Sequence, residues 1–223
     1  MKKTLVILTS NEIQGITALF KDIPFDKFDE SFAVDWNSQD GTVEFLKERG
    51  IRVISQTKKG RGDAFRIAAD ESQGDILVFF SSDGNEDPAD TIKLAESIES
   101  GNDMVIASRF MPGSRNDQEG VLFPYRVWGN KFFTLLVNLF FRGHLSDTLN
   151  GLRAVRKDKF KELKLNAEGF AIEYQMSIRA LKLKQKIEEI PTQEKDRIGG
   201  KSNVGSFSVG FKLLKLLFKE IFI

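Results

Sequence analysis

The sequence predicts an α/β fold with a mostly parallel sheet and helices on both faces. Two observations lead there. Short β-rich runs alternate with helix-like stretches along the first half of the chain, the signature of strand–helix–strand units. One run, Ile76-Leu77-Val78-Phe79-Phe80, is apolar at every position, as a strand covered on both faces should be.

The elements follow in order. Strands are expected at Thr4–Thr9, Phe32–Asp35, Ile51–Ser55, Ile76–Phe80 and Met104–Ala107, with helices at Glu12–Lys21, Thr42–Arg49, Ala64–Glu71 and Ala89–Ser100. Asp87-Pro88 marks a turn and the start of the last of these helices, since proline suits a first helical turn. Residues 109–124, rich in Gly, Pro, Ser and Asp, read as a loop. Beyond it Arg126, Asn130, Thr134, Asn138 and Arg142 recur every four residues among Phe, Leu and Val, which predicts an amphipathic helix. The C-terminus repeats this: Ser208, Lys212, Lys215 and Lys219 share one helical face, and Phe and Leu fill much of the rest. That pattern suits a helix lying on a membrane surface, and equally one packed on the domain or on a partner with its lysines in water.

Length and charge bound the function. The 223 residues suit one large domain, or one domain with an appendage. Lys and Arg total 33 against 32 Asp and Glu, which argues against a general nucleic-acid binder. The balance is uneven: residues 1–120 carry 14 basic and 22 acidic side chains, a net of −8, whereas residues 121–223 carry 19 and 10, a net of +9. With no cysteine and a single histidine, His144, thiolate chemistry, disulfides and multi-histidine metal sites are excluded. The apolar run Leu5–Leu8 is too short for a signal-peptide core, and the uncharged stretch 132–141 is half the roughly 20 residues of a spanning helix.

In open α/β sheets ligands gather at the carboxyl ends of the strands. Glu12 follows the first strand, Asp35 ends the second, the loop Lys58-Lys59-Gly60-Arg61-Gly62-Asp63 follows the third, and Asp83 follows the fourth. Glycines before a helix N-terminus, with Lys and Arg nearby, suit a diphosphate. The segment 81–88, Ser-Ser-Asp-Gly-Asn-Glu-Asp-Pro, offers oxygen ligands for Mg²⁺ or Mn²⁺ shared with substrate phosphates, or else an acidic turn and helix cap, a role that fits Asp87 better than Asp83. Arg197-Ile198-Gly199-Gly200-Lys201-Ser202 is a basic glycine loop able to close over a phosphate, or a solvated turn.

Taken in order, these blocks carry a family resemblance. Residues 6–12 resemble an opening strand reading V-V-I-P-T-Y-N-E, and 34–42 resemble V-D-D-G-S-x-D-G-T. Residues 60–64 match G-x-G-x-A, 81–88 resemble D-A-D-L-Q-x-P-P, and 107–110 match G-S-R-F. Residues 147–153, 169–173 and 197–202 resemble D-x-x-S-G-F-R, G-F-x-x-E and R-x-G-x-S-K. Over roughly residues 4–203 the chain resembles GT-A family 2 glycosyltransferases of the dolichyl-phosphate mannosyltransferase-like, polyprenyl-phosphate branch.

The resemblance implies a GT-A (Rossmann-like) domain over 1–206, with a nucleotide-binding half (1–108) and an acceptor half (109–206), followed by an amphipathic helix at 207–223. It implies transfer of a sugar from a GDP- or UDP-sugar to a polyprenyl phosphate with inversion, by an enzyme peripheral on the cytoplasmic membrane face. By the same resemblance Glu12, Asp35, Gly60, Arg61, Gly62, Lys201 and Ser202 bind the donor, Asp83 and Asn85 hold Mg²⁺ or Mn²⁺, and Asp83, Arg109, Arg126 and Arg197 serve catalysis. The C-terminal helix would meet the membrane or a membrane-protein partner. Ser81 replaces the first Asp of the metal motif and Trp36 the second Asp of V-D-D. Two alternatives stay open: a glycan or soluble acceptor, with Asp147 as its carboxylate base, and a non-catalytic subunit that binds a nucleotide sugar.

Overall fold

The structure, a computed structural model, describes residues 1–116, 125–199 and 206–223, the side chains of 206–208 excepted. Its nine strands are β1 (Lys3–Thr9), β2 (Glu30–Asp35), β3 (Arg52–Ser55), β4 (Ile76–Ser81), β5 (Met104–Ser108), β6 (Arg115–Asn116), β7 (Arg153–Arg156), β8 (Ile187–Pro191) and β9 (Gln193–Glu194). The eight α-helices are α1 (Ile13–Leu19), α2 (Thr42–Glu48), α3 (Arg61–Glu71), α4 (Asp90–Glu99), α5 (Tyr125–Phe141), α6 (Lys157–Glu162), α7 (Ala171–Lys182) and α8 (Ser206–Ile221).

Seven strands form one sheet in the order β3-β2-β1-β4-β7-β5-β8. All its pairings are parallel except those of β7, which runs antiparallel between β4 and β5. The five strands and four helices expected in the first half are present, with ends shifted by up to three residues. Strands β7 and β9 and helices α6 and α7 were not among the expected elements. Within the expected loop at 109–124, β6 pairs with β9.

Strand alternation builds two cores. Val6, Leu8, Phe32, Val34, Leu77, Phe79, Met104 and Ile106 face one way, onto Phe65 of α3, Val137 of α5, Ile172 of α7 and Leu213 of α8. Leu5, Ile7, Ala33, Val78, Phe80 and Val105 face the other way, onto Ile16 of α1, Leu46 of α2 and Leu94 of α4. Both faces of β4 are thereby covered, in keeping with its unbroken apolar run.

Helix α5 turns part of its polar stripe inward. Thr134 Oγ1 lies 2.9 Å from Thr148 Oγ1, and Asn138 Nδ2 donates to the Leu145 carbonyl at 2.7 Å. Trp128, Phe132, Leu135 and Leu139 are left exposed, Trp128 by 73%. Helix α8 buries Leu213, Leu216, Leu217 and Glu220. The Glu220 carboxylate accepts hydrogen bonds from Gln175 at 2.8 Å and Arg179 at 2.9 Å, which fastens α8 to α7. Its outer face carries Phe211 and Phe218 beside Lys212, Lys215 and Lys219, and Phe222 follows its end, all exposed. Among the described residues no helix is long and apolar enough to cross a membrane.

Candidate functional site

Sheet register sets the site. Thr9 of β1 lies opposite Asp35 of β2, and Leu8 opposite Ser81 of β4. The carboxyl ends of three parallel strands therefore meet along one rim. A cleft of about 330 Å³ opens there, and Arg61, Asp83, Asn85, Arg109, Arg126 and Arg197 all line it. Residues from the chain's acidic and basic parts thus share one cavity.

Asp83 and Asn85 sit on the turn after β4. Asp83 Oδ2 lies 3.5 Å from Arg197 Nη1, while Asp83 Oδ1 is buried without a hydrogen-bond partner among the described residues. Asn85 Nδ2 donates to Glu194 Oε1 at 2.9 Å, and Asn85 Oδ1 is likewise buried without a donor among them. Two buried, unsatisfied oxygens on one turn suit a divalent cation completed by substrate phosphates. No cluster of three or more His, Cys, Asp or Glu with metal-site geometry occurs among the described residues. Asp87 holds the turn before α4 rather than capping the helix: its Oδ1 accepts the Ala89 N–H at 3.0 Å, and Ala89 is the N-cap, without a side-chain cap bond.

Arg197 pairs with Glu12 and donates from Nε to the Gly199 carbonyl at 3.1 Å. Ile198 closes over the turn. Gly84, at φ +91°, lies so near it that a Cβ would come within 2.7 Å of the Ile198 side chain. Burial pushes the Glu12 carboxyl up to about 7, outweighing the attraction of Arg197. The expected donor residues Lys201 and Ser202 lie outside the described residues.

Arg61, at the start of α3, donates from Nε to Glu173 Oε1 at 2.5 Å and from Nη1 to Ser81 Oγ at 3.1 Å. Its two glycine neighbours do not line the cleft. Gly60 packs on Gly169, and a Cβ on Gly62 would strike the Ala167 carbonyl. These glycines bring α3 against the segment before α7. Asp35 is buried, and both its carboxylate oxygens accept from Ser38, one from the N–H at 3.0 Å and one from the hydroxyl at 2.5 Å. That carboxylate holds the turn after β2.

Arg109 is held on both sides. Its Nε and Nη2 donate to Asp147 at 2.7 and 3.1 Å, and its Nη1 lies 3.2 Å from Glu194 Oε2. Asp147 is fully buried and also accepts the N–H groups of Leu149 and Asn150. Burial alone would raise the Asp147 pKa, but Arg109 and the backbone N–H donors together outweigh it and the net shift is downward. A carboxylate so occupied is a poor proton acceptor, so the base role weighed for Asp147 is not supported. Arg126, exposed on α5, has no hydrogen-bond or ion-pair partner among the described residues.

Several groups escaped the sequence reading. Glu86 is buried, its Oε2 accepts the Ser81 N–H at 2.6 Å, and burial followed by the Asp83 charge pushes its pKa up to about 8. Glu194, on two-residue β9, joins Asn85 to Arg109; no local pattern announces it. Arg153 of β7 is fully buried and donates to the carbonyls of Asn150 and Glu173. Desolvation lowers its pKa to about 10.

Known proteins resemble this chain in sequence and in fold. The model of "Glycosyl transferase family 2" matches residues 4–164. The chain is 28% identical to the glycosyltransferase AglJ of Haloferax volcanii over 82% of its own length, and spans 60% of that protein. It is 28% identical to the undecaprenyl-phosphate mannosyltransferase of Micrococcus luteus, covering 94% of this chain and 90% of that one. It is 27% identical to the dolichol-phosphate mannosyltransferase of Pyrococcus furiosus, covering 98% and 63%. Among solved structures, glucosyl-3-phosphoglycerate synthase from Mycobacterium tuberculosis, in complex with Mn²⁺, UDP and phosphoglyceric acid, superposes with a TM-score of 0.78 over 99% of this chain and 78% of that one, at 20% identity.

Proposed function

Because the chain belongs to glycosyl transferase family 2, and is therefore a glycosyltransferase, we propose that it moves a hexose from a GDP- or UDP-sugar to a polyprenyl phosphate, with inversion. The observation that carries this reading is the course of the cleft. It runs from Asp83 and Arg197 at the sheet rim to Arg126 and Phe133 of α5 and Gly210 and Leu213 of α8. Those two helices carry exposed Trp128, Phe132, Leu135, Phe211 and Phe218 on their outer faces. Aromatic residues beside exposed lysines suit an anionic membrane surface. A phosphate on a lipid tail would enter from there and meet Arg126. The names of the Micrococcus and Pyrococcus relatives, which point to polyprenyl phosphate acceptors, support the same reading.

The chemistry needs positioning more than a base. A phosphate monoester is largely doubly charged at neutral pH, its second pKa being about 6. Its oxygen attacks the anomeric carbon, the bond from that carbon to the diphosphate breaks, and the nucleoside diphosphate leaves. Occupation of Asp147 by Arg109 accords with an acceptor that needs no deprotonation. Asp83 and Asn85, with their unpartnered buried oxygens, would hold a divalent cation, Mg²⁺ or Mn²⁺, whose charge stabilises the leaving diphosphate. Arg197 adds charge beside it, and Lys201 and Ser202 complete the proposed donor set. Glu12, Asp35 and the 60–62 turn shape the nucleotide end, Asp35 and the glycines by holding backbone rather than by facing the cleft. In the cell the enzyme works as a peripheral protein on the cytoplasmic face of a membrane.

The test is a panel of UDP- and GDP-hexoses with Mg²⁺ or Mn²⁺ and polyprenyl phosphate in detergent. One donor should yield an acid-labile lipid-linked sugar. Absence of product from every donor, with a homologous enzyme active alongside, would overturn the lipid acceptor.

A further inference from the structure

We propose that Glu86 supplies the second carboxylate of the cation site, replacing the one that Ser81 lacks, so that a divalent cation bound with the donor diphosphate meets Asp83, Asn85 and Glu86. The inference rests on the donor reading above and assigns a residue the sequence motif does not.

Ser81 cannot act as a charged ligand, and its hydroxyl already accepts a hydrogen bond from Arg61 at 3.1 Å. Glu86 lies five positions on and folds back over the turn. Its Oε2 accepts the Ser81 N–H at 2.6 Å, which brings a carboxylate beside the residue whose own carboxylate is missing. Left-handed Gly84, at φ +91°, allows that reversal. Glu86 is only 7% exposed and lines the same cleft as Asp83 and Asn85. Its Oε1 has no hydrogen-bond partner among the described residues.

Asp83 Oδ1 and Asn85 Oδ1, on the same turn, are buried without donors among the described residues. Arg61 is already engaged by Glu173. Buried acceptors without donors carry a desolvation cost that a hard cation with oxygen ligands relieves. If Glu86 served only to hold the Ser81 N–H, a neutral amide oxygen would do as well. A carboxylate beside Asp83 adds a second anionic oxygen ligand once a cation lies between them.

The test measures Mn²⁺ affinity by electron paramagnetic resonance on the full chain, with UDP in one arm and GDP in the other. Glu86→Gln keeps an oxygen for the Ser81 N–H and removes the charge. It should weaken Mn²⁺ about tenfold or more, without lowering the melting temperature or changing metal-free nucleotide affinity. Adding Ser81→Asp to Glu86→Gln should restore Mn²⁺ affinity. Should Glu86→Gln fail to fold, Glu86→Asp, one methylene shorter, should also weaken Mn²⁺. Wild-type Mn²⁺ affinity in the variants overturns the assignment and leaves the donor reading intact, as does a fall in melting temperature alone. Failure of the wild type to bind either nucleotide with Mn²⁺ overturns both.

Discussion

Arg197 pairs with Glu12, 185 positions earlier in the chain, and reaches Asp83 on its other side. The pair joins the end of β1 to the segment after β9 across the mouth of the proposed donor site. A guanidinium between two carboxylates is held without a donor, and an entering diphosphate would compete for it.

The first prediction concerns pH. The Glu12 carboxyl is raised from 4.5 to about 7, so the folded chain binds this proton more tightly than the unfolded chain. Stability from this group is full below about pH 4.5 and is lost as pH rises towards 7. Glu86, raised to about 8, acts in the same direction. Between pH 5 and 7.5 the melting temperature of Glu12→Gln should therefore fall less than that of wild type. Parallel declines would refute the shift.

Arg109 and Asp147 give a second expectation. Removing the cation leaves a fully buried carboxylate without its main partner. Arg109→Ala should cost about 3–5 kcal/mol in urea unfolding. Adding Asp147→Asn should recover part of that loss. Equal stability of the single and double variants would show that the pair is not coupled.

A third concerns two glycines. Gly62→Ala drives a methyl into the Ala167 backbone, where nothing yields easily, and should destabilise by about 1–3 kcal/mol. Gly129→Ala, inside α5, meets no atom of the described residues within 4 Å and should stabilise by up to about 1 kcal/mol through helix propensity. Thermal unfolding of both variants separates backbone contact from a general intolerance of substitution.

The fourth concerns lipid. Wild type should float with liposomes containing anionic phospholipid. Trp128→Ser with Phe218→Ser should reduce flotation several-fold without changing the melting temperature, because both side chains are exposed. Deleting α8 is a poorer test, since Leu213, Leu216 and Leu217 belong to the core. Undiminished flotation of the double variant would remove these helices from the membrane reading.

The first half of the fold was legible because its strands and helices alternate with local signals that agree. The β4 run and the polar residue after each strand placed Glu12, Asp35 and Asp83 along one rim. The second half was less legible. Strand β7 is four residues, Arg-Ala-Val-Arg, and its first arginine is fully buried, satisfied by the Asn150 carbonyl just before it and the Glu173 carbonyl of α7. No periodicity reveals that. Helix α5 has an amphipathic pattern, yet Thr134 and Asn138 turn inward because the 145–148 turn supplies their partners. At the site, Glu194 reaches Asn85 and Arg109 only through tertiary folding, and Glu86 turns back on Ser81 through a local reversal at Gly84 that no spacing rule encodes.

The antiparallel β7 also governs when the protein can fold. Strand β5 pairs only with β7 and β8 within the large sheet, both of which emerge from the ribosome some 45 or more residues later. Until then β5 and one side of β4 are open apolar edges. Such edges are sites of premature pairing with other chains. Residues 1–108 therefore hold most of the proposed nucleotide site yet lack the strands that complete their sheet, and synthesis must reach residue 191 before that edge is sealed. A chain halted at the midpoint should be a client of chaperones rather than a free-standing nucleotide-binding module.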